Sequence, residues 1–279
     1  MRFSLILATV GRVEETREFL TSLGDAALVR EVIVVDQNPD DRLLPVLAQF
    51  PHIHFVRVRM PPGHLAAARN AGIAHAKGEV VAFPDDDCVY SPGLLAGVAE
   101  RLAALPRPGV MAALVADSTG APSTGGRAPT TSVAVTRENV FVAAREPGLF
   151  IPRELLERFG GFDERFGIGT PFASGESADL ALRFLAAGVA VAFDPALVVG
   201  HPDTRRSAAG LARTFGNAAG FGACLRRHRY GLRTIARYLV RPAGGLVLCA
   251  LRRDGFGVSY YALTIRGRLW GYRTWRDAP

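Results

Sequence analysis

The sequence has few cysteines, a single lysine and no long uninterrupted apolar run. Its three cysteines, Cys88, Cys224 and Cys249, lie far apart without a CxxC spacing, which excludes a zinc-ribbon site and a disulfide framework. Lys77 is the one lysine, so arginine supplies nearly all of the 33 basic residues. The longest apolar stretches, such as residues 246–251, fall far short of the roughly 20 residues that a membrane-spanning helix needs. We therefore expect no segment that spans a bilayer.

The N-terminal residues predict a strand rather than a signal peptide. One arginine precedes the short apolar run at residues 3–8, and no small-residue cleavage site follows it. A chain of 279 residues that is 49% hydrophobic has enough material for one large domain or two small ones around a buried core. These features predict a folded protein of the cytoplasm.

Positive charge is concentrated in the last quarter of the chain. Residues 205–279 hold 15 arginines and two acidic residues, a balance of +13, whereas residues 1–204 have a balance of −6. Apolar residues recur there at helical spacing with arginines between them, which predicts basic amphipathic helices. Nucleic acid and an anionic membrane surface are the two partners that such a segment fits.

Apolar runs without polar alternation take turns with helix-like patterns in the first 115 residues. This order predicts an α/β domain with a largely parallel sheet covered by helices on both faces. In such sheets, ligands bind beyond the carboxyl ends of the strands. The predicted strands are residues 3–8, 32–35, 53–58, 80–83 and 110–115, and the predicted helices are 13–23, 43–49, 64–76 and 92–104.

Loops rich in glycine separate the predicted elements in the second part of the chain. Residues 116–129 are rich in Gly, Pro, Ser and Thr, which predicts a connector. A long glycine-punctuated loop, "GGFDERFGIGTPFASGES", comes later, and long ordered loops in compact domains are usually functional. Around them we predict strands at 140–144, 149–152 and 189–193, and helices at 153–159 and 177–187.

Three consecutive aspartates, Asp85, Asp86 and Asp87, follow the apolar run of the fourth predicted strand in "VVAFPDDDC". Like charges repel, so we expect a fold to keep them only where a positive group neutralises them. Mg²⁺ and Mn²⁺ prefer oxygen ligands and keep open positions for substrate phosphates. Because side chains alternate along an extended segment, Asp85 and Asp87 should point one way and Asp86 the other.

Four segments, "ILATVGR", "EVIVVDQNPDD", "LAAARNAG" and "GEVVAFPDDDC", resemble in order and spacing those of the family-2 glycosyltransferases of the GT-A fold. The resemblance covers roughly residues 3–204, and "GESADLALRFLAAG" belongs to it. It implies that the aspartates form a DxD motif, which binds the diphosphate of a nucleotide-sugar through Mn²⁺ or Mg²⁺. It also implies a donor-binding half at 1–115 and an acceptor-binding half at 116–204, followed by the basic helical extension at 205–279.

The resemblance assigns roles to single residues. Asp87 is expected to coordinate the metal, and His201 in "VVGHPD" matches a histidine that many family members place at the metal or the diphosphate. Asp85 is expected at the ribose or the metal. Contacts to the donor are expected from Thr9, Arg12, Asp36, Arg69, Asn70, Asp85 and Asp86, with Thr9 and Arg12 at the base, Asp36 at the base or ribose, and Arg69 and Asn70 as a donor-facing pair.

Inverting sugar transfer also needs a carboxylate that takes the proton of the acceptor hydroxyl. The motif "SGESADL" offers Glu176 and Asp179, three residues apart and therefore on one side of a helix. Many family members read G-E-D-x-D-L, and the aspartate directly after the glutamate is the base. Ser177 occupies that position here, so the base is predicted to be Glu176, with Asp179 as the second candidate and a helix-capping role as the alternative.

The predicted function is a metal-dependent, inverting glycosyltransferase that serves polysaccharide biosynthesis. It would move a sugar from a nucleotide-diphosphate donor to a hydroxyl of a glycan or lipid-linked acceptor, as a peripheral protein on the inner face of the plasma membrane. With such a core, residues 205–279 favour an anionic membrane surface over nucleic acid. Two alternatives are a nucleotidyltransferase, which usually has a more glycine-rich loop than "ATVGRVEE", and a non-catalytic transferase-like protein that binds nucleotide or membrane.

Overall fold

The structure is a computed structural model that describes residues 1–24, 26–106, 108–122, 128–202 and 207–276. It divides into two compact units, which we describe separately. The first unit comprises Met1–Phe162 and Leu180–Asp203, and the second comprises Asp163–Asp179 and Thr204–Pro279. The division into halves at residues 1–115 and 116–204, with an extension after them, follows from the resemblance and stays a prediction.

The first unit is built on one nine-stranded sheet. Its helices are α1 (Val13–Ser22), α2 (Leu44–Leu47), α3 (Leu65–Ile73), α4 (Leu94–Ala104), α5 (Val140–Ala143), α6 (Arg153–Phe159) and most of α7 (Glu176–Ala186), with one 3₁₀ turn at Glu146–Gly148. The strands are β1 (Phe3–Thr9), β2 (Val29–Asp36), β3 (Phe55–Arg59), β4 (Val80–Ala82), β5 (Val89–Tyr90), β6 (Gly109–Ala116), β7 (Val133–Ala134), β8 (Leu149–Pro152) and β9 (Ala190–Gly200).

The sheet order is β3-β2-β1-β4-β8-β6-β9-β5, with β7 paired to β9. Strands β3, β2, β1 and β4 are mutually parallel, and β8 runs antiparallel between β4 and β6. The carboxyl ends of β1 and β2 meet in register, with Thr9 beside Asp36. The predicted α/β fold with a mostly parallel central sheet is confirmed, and its carboxyl edge gathers the polar residues described below.

The central strands form because their apolar residues are buried on both faces of the sheet. Phe3, Leu5 and Leu7 of β1 and their neighbours on β2 belong to one continuous core. On the opposite face, α3 approaches closely at Gly72, where an added Cβ would lie 2.4 Å from the Ile6 side chain. The helix that carries Arg69 and Asn70 is therefore held firmly against the sheet.

Several predicted elements differ from the structure. Residues 140–144, predicted as a strand, form the single helical turn α5, since Val140 and Ala143 bury the same face three residues apart. Asn139 initiates this turn by accepting a hydrogen bond from the Thr136 amide. The last strand is longer than predicted, since β9 continues to Gly200. The two-residue strands β5 and β7 are too short for a sequence pattern, and the predicted connector lies partly outside the described residues, at 123–127.

The apolar spacing predicts helices in residues 205–279, and the described residues 207–276 form three of them: α8 (Ala208–Arg227), α9 (Leu232–Leu251) and α10 (Gly255–Thr274). Ser207 caps α8 by accepting from the Gly210 amide, and Asp254 caps α10 by accepting from the Gly257 amide. A long loop, residues 163–175, packs against the end of this segment. Phe166 stacks on Trp275 with ring centroids 4.5 Å apart, and the Arg165 guanidinium lies 4.3 Å from the Trp275 ring centroid.

Helices α8 and α10 approach each other so closely that only glycine fits at several contacts. An added Cβ at Gly271 would lie 1.9 Å from the Ala219 carbonyl oxygen, and one at Gly222 would lie 2.1 Å from the Arg268 carbonyl oxygen. These atoms are backbone, so they cannot rotate away as a side chain would.

Gly271→Ala should therefore destabilise the second unit by roughly 1–3 kcal/mol, the usual cost of overpacking. Gly244→Ala is the matched control, because its added Cβ meets nothing within 4 Å and alanine favours a helix interior by about 0.5–1 kcal/mol. Tryptophan fluorescence during urea unfolding measures the stability of both variants. Trp270 and Trp275 are the two tryptophans of the chain, and both belong to this unit. Equal midpoints for the two variants would contradict the close packing.

By length and composition, α9 is apolar enough to cross a membrane. This corrects the expectation that no stretch meets that criterion. The sequence analysis looked for unbroken apolar runs, and three arginines divide the residues of α9 into shorter ones. A single helix of this kind is weak evidence for a membrane span.

Candidate active site

The three aspartates lie in the loop after β4, and the loop after β1 contacts them. The Thr9 hydroxyl donates to Asp86 Oδ2 over 2.8 Å, and Arg12 Nη1 donates to Asp86 Oδ1 over 2.9 Å. Arg12 also forms an ion pair with Asp87. Thr9 and Arg12, which the resemblance places at the donor base, thus fix the orientation of two aspartates.

Asp85 and Asp87 face His201, which follows β9. His201 Nε2 lies 3.5 Å from Asp85 Oδ2 and 3.5 Å from Asp87 Oδ1. One ligand atom from each of the three residues lies within 4.8 Å of the others, the spacing of a metal site. Asp86 is held by the loop after β1, whereas Asp85 and Asp87 both face His201.

Two details of this cluster fit a divalent cation. Asp87 Oδ1 is buried and has no hydrogen-bond partner among the described residues, although a buried carboxylate oxygen normally has one. His201 Nδ1 lies 2.8 Å from the Pro202 carbonyl oxygen, which can only accept, so Nδ1 carries the proton. In the neutral ring, Nε2 then presents its lone pair to the carboxylates. Metal-binding histidines are usually oriented in this way.

Arg69 lies in α3, beneath the cluster, and its side chain is only 3% exposed. Its guanidinium donates to Asp85 Oδ1 over 2.7 Å and to Glu146 Oε1 over 3.1 Å, and it lies 5.7 Å from the Phe162 ring centroid. The bond to Oδ1 fixes the orientation of Asp85 and leaves its second oxygen, Oδ2, facing His201. Arg69 therefore acts on the site through Asp85.

The ionisation of the cluster shows an excess of negative charge. Burial raises the pKa of Asp86 to about 6, and the charges of Asp87 and Asp85 add to this effect against the Thr9 hydrogen bond and the Arg12 charge. Burial lowers the pKa of His201, but the hydrogen bond with Asp85 and the charges of Asp85 and Asp87 raise it above the usual value. The cluster of aspartates beside His201 therefore stabilises an added positive charge.

Asp85 keeps its charge in this surrounding. Burial raises the pKa of Asp85, but the hydrogen bond with His201 and the charge of Arg69 outweigh burial and leave it below the usual value. Asp85 therefore stays anionic across the physiological pH range.

Asp36, at the end of β2, is completely buried within its own network. Oδ1 accepts from the Asn38 backbone amide over 2.9 Å and from Asn38 Nδ2 over 2.7 Å. Oδ2 accepts from Arg57 Nε over 2.8 Å and from Arg57 Nη2 over 2.6 Å. Arg57 also bonds Asp41, so the network orders the loop that follows β2.

Asn70 forms two hydrogen bonds with the backbone of Phe162. Its Nδ2 donates to the Phe162 carbonyl over 2.9 Å, and its Oδ1 accepts from the Phe162 amide over 2.8 Å. Gly161 is required beside it, because an added Cβ would lie 2.2 Å from Asn70 Oδ1. The bonds hold Phe162, whose ring packs against Arg69.

The second unit contains both candidates for the catalytic base. Asp179 is fully buried, and its Oδ1 accepts from Arg227 Nε over 2.6 Å and from His228 Nε2 over 2.8 Å. Arg227 also pairs with Asp163 over 2.8 Å. Asp179 thus ties the first turn of α7 to the end of α8. Glu176, 6% exposed, begins α7.

Four residues of these networks were not identified from the sequence. Glu146 carries one bond of Arg69, and Arg57 holds Asp36 from the next strand. Arg227 and His228 bond Asp179 from the basic segment. No motif marks them, because each is recognised only through a partner distant in the chain.

Comparisons with known proteins identify the family of the chain. Residues 4–158, more than half of the chain, match the family described as Glycosyl transferase family 2. An uncharacterized glycosyltransferase, YwdF, from Bacillus subtilis (strain 168) is 29% identical over 104 residues, which are 37% of this chain and 38% of that protein. The chain therefore matches well under half of the length of that relative.

Two solved structures share the fold. The mannosyltransferase PcManGT from Pyrobaculum calidifontis, in complex with GDP-Man and Mn²⁺, superimposes with a TM-score of 0.67 at 20% identity, covering 96% of this chain and 87% of that one. S. aureus TarS 1-349, in complex with UDP-GlcNAc, gives 0.59 at 16% identity, covering 96% and 92%.

The mostly parallel sheet flanked by helices, shared with these structures, is the GT-A fold. The chain belongs to glycosyl transferase family 2. The predicted family, the predicted enzyme class and the predicted fold are confirmed, which favours the leading prediction over a nucleotidyltransferase.

Proposed function

We propose that the protein is a metal-dependent, inverting glycosyltransferase that uses a nucleotide-diphosphate sugar. The observation that carries the proposal is the cluster of Asp85, Asp87 and His201, with its buried carboxylate oxygen, at the carboxyl edge of a family-2 sheet. A divalent ion held there would neutralise the diphosphate that departs from the sugar. Mn²⁺ and Mg²⁺ both suit carboxylate and imidazole ligands.

The remaining residues of the first unit would prepare the donor site. Arg12 and Thr9 would orient Asp86, with Arg12 bridging it to Asp87, and Arg69 would orient Asp85. Asp36 would contact the base or ribose from the end of β2, with Arg57 and Asn38 fixing its orientation. Such a preformed arrangement lowers the cost of ordering the site when the donor binds.

Glu176 is the base in this proposal. In the chemistry of inversion, the base takes the proton of the acceptor hydroxyl as that oxygen bonds the anomeric carbon. Asp179 suits a positioning role better, because one of its oxygens already bonds two cationic or polar side chains. Thr170, Phe172 and Ser174 on the preceding loop are further candidates for contacts with the sugar or the acceptor.

The acceptor is proposed to be a lipid-linked or surface-polysaccharide precursor at the inner face of the membrane. The support is the +13 balance of residues 205–279 together with their aromatic side chains, a combination that suits an anionic lipid surface. The protein would act there as a peripheral enzyme.

A thermal-shift screen of nucleotide-sugars with and without Mn²⁺ tests the donor site. A ligand that binds the folded protein at about 100 times its dissociation constant stabilises it by roughly 2.7 kcal/mol. GDP-mannose and UDP-GlcNAc are the first donors to try, because the two structural neighbours bind them. We expect stabilisation by one donor with Mn²⁺ and little with EDTA. A response to a donor that is equal with EDTA would contradict metal dependence.

A further inference from the structure

Helix α9 has an exposed apolar face. Of the eleven large apolar side chains that the described residues leave exposed, five belong to α9, with exposed fractions between 47% and 81%. A helix on the surface of a globular protein normally shows the opposite pattern, with its polar residues facing the solvent. The exposed apolar side chains are Leu232, Val240, Val247, Leu248 and Leu251, and the exposed small residues Ala236, Ala243 and Ala250 lie among them.

Most of these residues form one stripe along the helix axis. Leu232, Ala236, Val240, Ala243, Val247 and Leu251 follow one another in steps of three or four, which keeps them on one side of an α-helix. The stripe therefore runs the full length of the helix.

A row of arginines borders the stripe. Arg233, Arg237 and Arg241 are exposed and spaced four residues apart, so they line one edge of the apolar side. Residues 232–251 contain no acidic residue that would neutralise them. Apolar side chains next to a row of positive charges complement a bilayer with anionic headgroups, where acyl chains and phosphates lie at neighbouring depths.

The opposite side of α9 is already occupied. An added Cβ at Gly245 would lie 2.5 Å from the Tyr261 ring, so this side contacts α10 closely, and Pro242 is buried. The helix is therefore held by its own unit on one side and presents its stripe outward on the other.

We propose that the exposed face of α9, defined by the stripe and its arginine border, binds flat on an anionic lipid bilayer. The apolar residues would enter the boundary between headgroups and acyl chains, and Arg233, Arg237 and Arg241 would contact lipid phosphates. This inference rests on the proposed function, since it names the surface by which the enzyme would reach a membrane acceptor.

The helix lies in the membrane plane in this proposal, rather than across the bilayer. A spanning orientation would put Arg237 and Arg241 near the middle of the hydrocarbon core, where arginine is costly. A lipid surface is also favoured over nucleic acid, which would use the arginines but not a continuous row of exposed leucines and valines.

Flotation of the full-length protein with vesicles tests the proposal. We expect binding to vesicles of phosphatidylcholine with phosphatidylglycerol, much weaker binding to phosphatidylcholine alone, and release by alkaline carbonate. The double variant Val240→Asp, Val247→Asp should lose binding by at least tenfold. The triple variant Arg233→Gln, Arg237→Gln, Arg241→Gln should lose about a hundredfold, since one basic residue near the headgroups contributes about fivefold.

Matched controls separate this face from charge and hydrophobicity in general. Leu44→Asp changes an exposed leucine of the first unit, and a triple change of Arg30, Arg42 and Arg158 to glutamine removes the same charge from exposed positions elsewhere. Both controls should bind vesicles within about threefold of the unchanged protein. Circular dichroism checks that all variants are folded.

Four results would overturn the proposal: a Val240→Asp, Val247→Asp variant that binds like the unchanged protein, control arginines that matter as much as those of α9, resistance to carbonate, or binding to RNA without binding to vesicles. Donor stabilisation by Mn²⁺ should be the same in every α9 variant. If no nucleotide-sugar binds while the vesicle results hold, the proposed function fails and the membrane surface stands.

Discussion

Asp87→Asn should abolish the Mn²⁺-dependent response to the sugar donor and lower turnover by at least about a hundredfold. The change keeps the size of the side chain but removes the charge of Asp87, whose buried Oδ1 is proposed to bind the metal. Loss of residues that merely orient metal ligands commonly costs 10–100-fold, so loss of a ligand should cost no less. Release of nucleotide diphosphate measures turnover, and titration of Mn²⁺ against thermal stability measures binding.

Asp194→Asn is the control for Asp87→Asn. Asp194 is buried, and it forms an ion pair with Arg101 at 2.9 Å, so both variants lose one carboxylate that faces an arginine. The control should lose some stability and keep its Mn²⁺ response. If folded Asp87→Asn protein retained Mn²⁺ binding and turned over the donor within about threefold of the unchanged rate, the proposed metal site would be wrong.

The fold was predictable wherever burial on both faces imposed a simple pattern. Strands β1 and β2 consist of apolar residues that are buried on both sides, so their runs are unbroken and their positions follow from the sequence. The run around Val140 is also apolar, but it follows a local turn in which Asn139 accepts from the Thr136 amide and donates to the Ala134 carbonyl. A short β-branched segment does not reveal which of these outcomes prevails.

The candidate site was predictable to the extent that it lies on contiguous motifs. The aspartates stand in a row, which marks the site in the sequence. Asp85 and Asp87 face the same residue as predicted, but they do so because Asp86 and Asp87 lie in a turn, closed by the bond from the Cys88 amide to the Asp85 carbonyl, and not on an extended backbone. The partners of those residues were not predictable, since Glu146 lies 77 residues from Arg69 and Arg227 lies 48 residues after Asp179. Pairing at such distances depends on the packed structure, and the sequence alone contains many other arginines that would serve equally well.

The exposed face of α9 was also not predictable from the sequence alone. Helical spacing predicts amphipathic helices in residues 205–279, but spacing alone does not say which side of a helix is covered. The contact of Gly245 with Tyr261 settles that question within the second unit, and it leaves the leucines and valines outward. An apolar side that would normally be assigned to the core is therefore free for a partner.

Glu176→Gln should lower turnover by roughly 10²–10⁴-fold, the usual contribution of a general base, and leave donor binding unchanged. The amide has the shape of the acid but cannot accept the hydroxyl proton at neutral pH. Turnover is measured as sugar transfer, or as donor hydrolysis when water is the acceptor. The Mn²⁺-dependent thermal shift should be that of the unchanged protein, which separates a loss of chemistry from a loss of binding.

Asp179→Asn provides the matched comparison, because it makes the same chemical change three residues further along α7. It leaves Arg227 and His228 facing a neutral partner in a buried place, and breaking such a pair costs about 3–5 kcal/mol when burial is complete. Arg227 remains 22% exposed, so a loss at or below the lower end is expected in the fluorescence unfolding of the second unit. The folded fraction should keep much of its turnover. Full activity in Glu176→Gln with an inactive but stable Asp179→Asn would reverse the two assignments and make Asp179 the base.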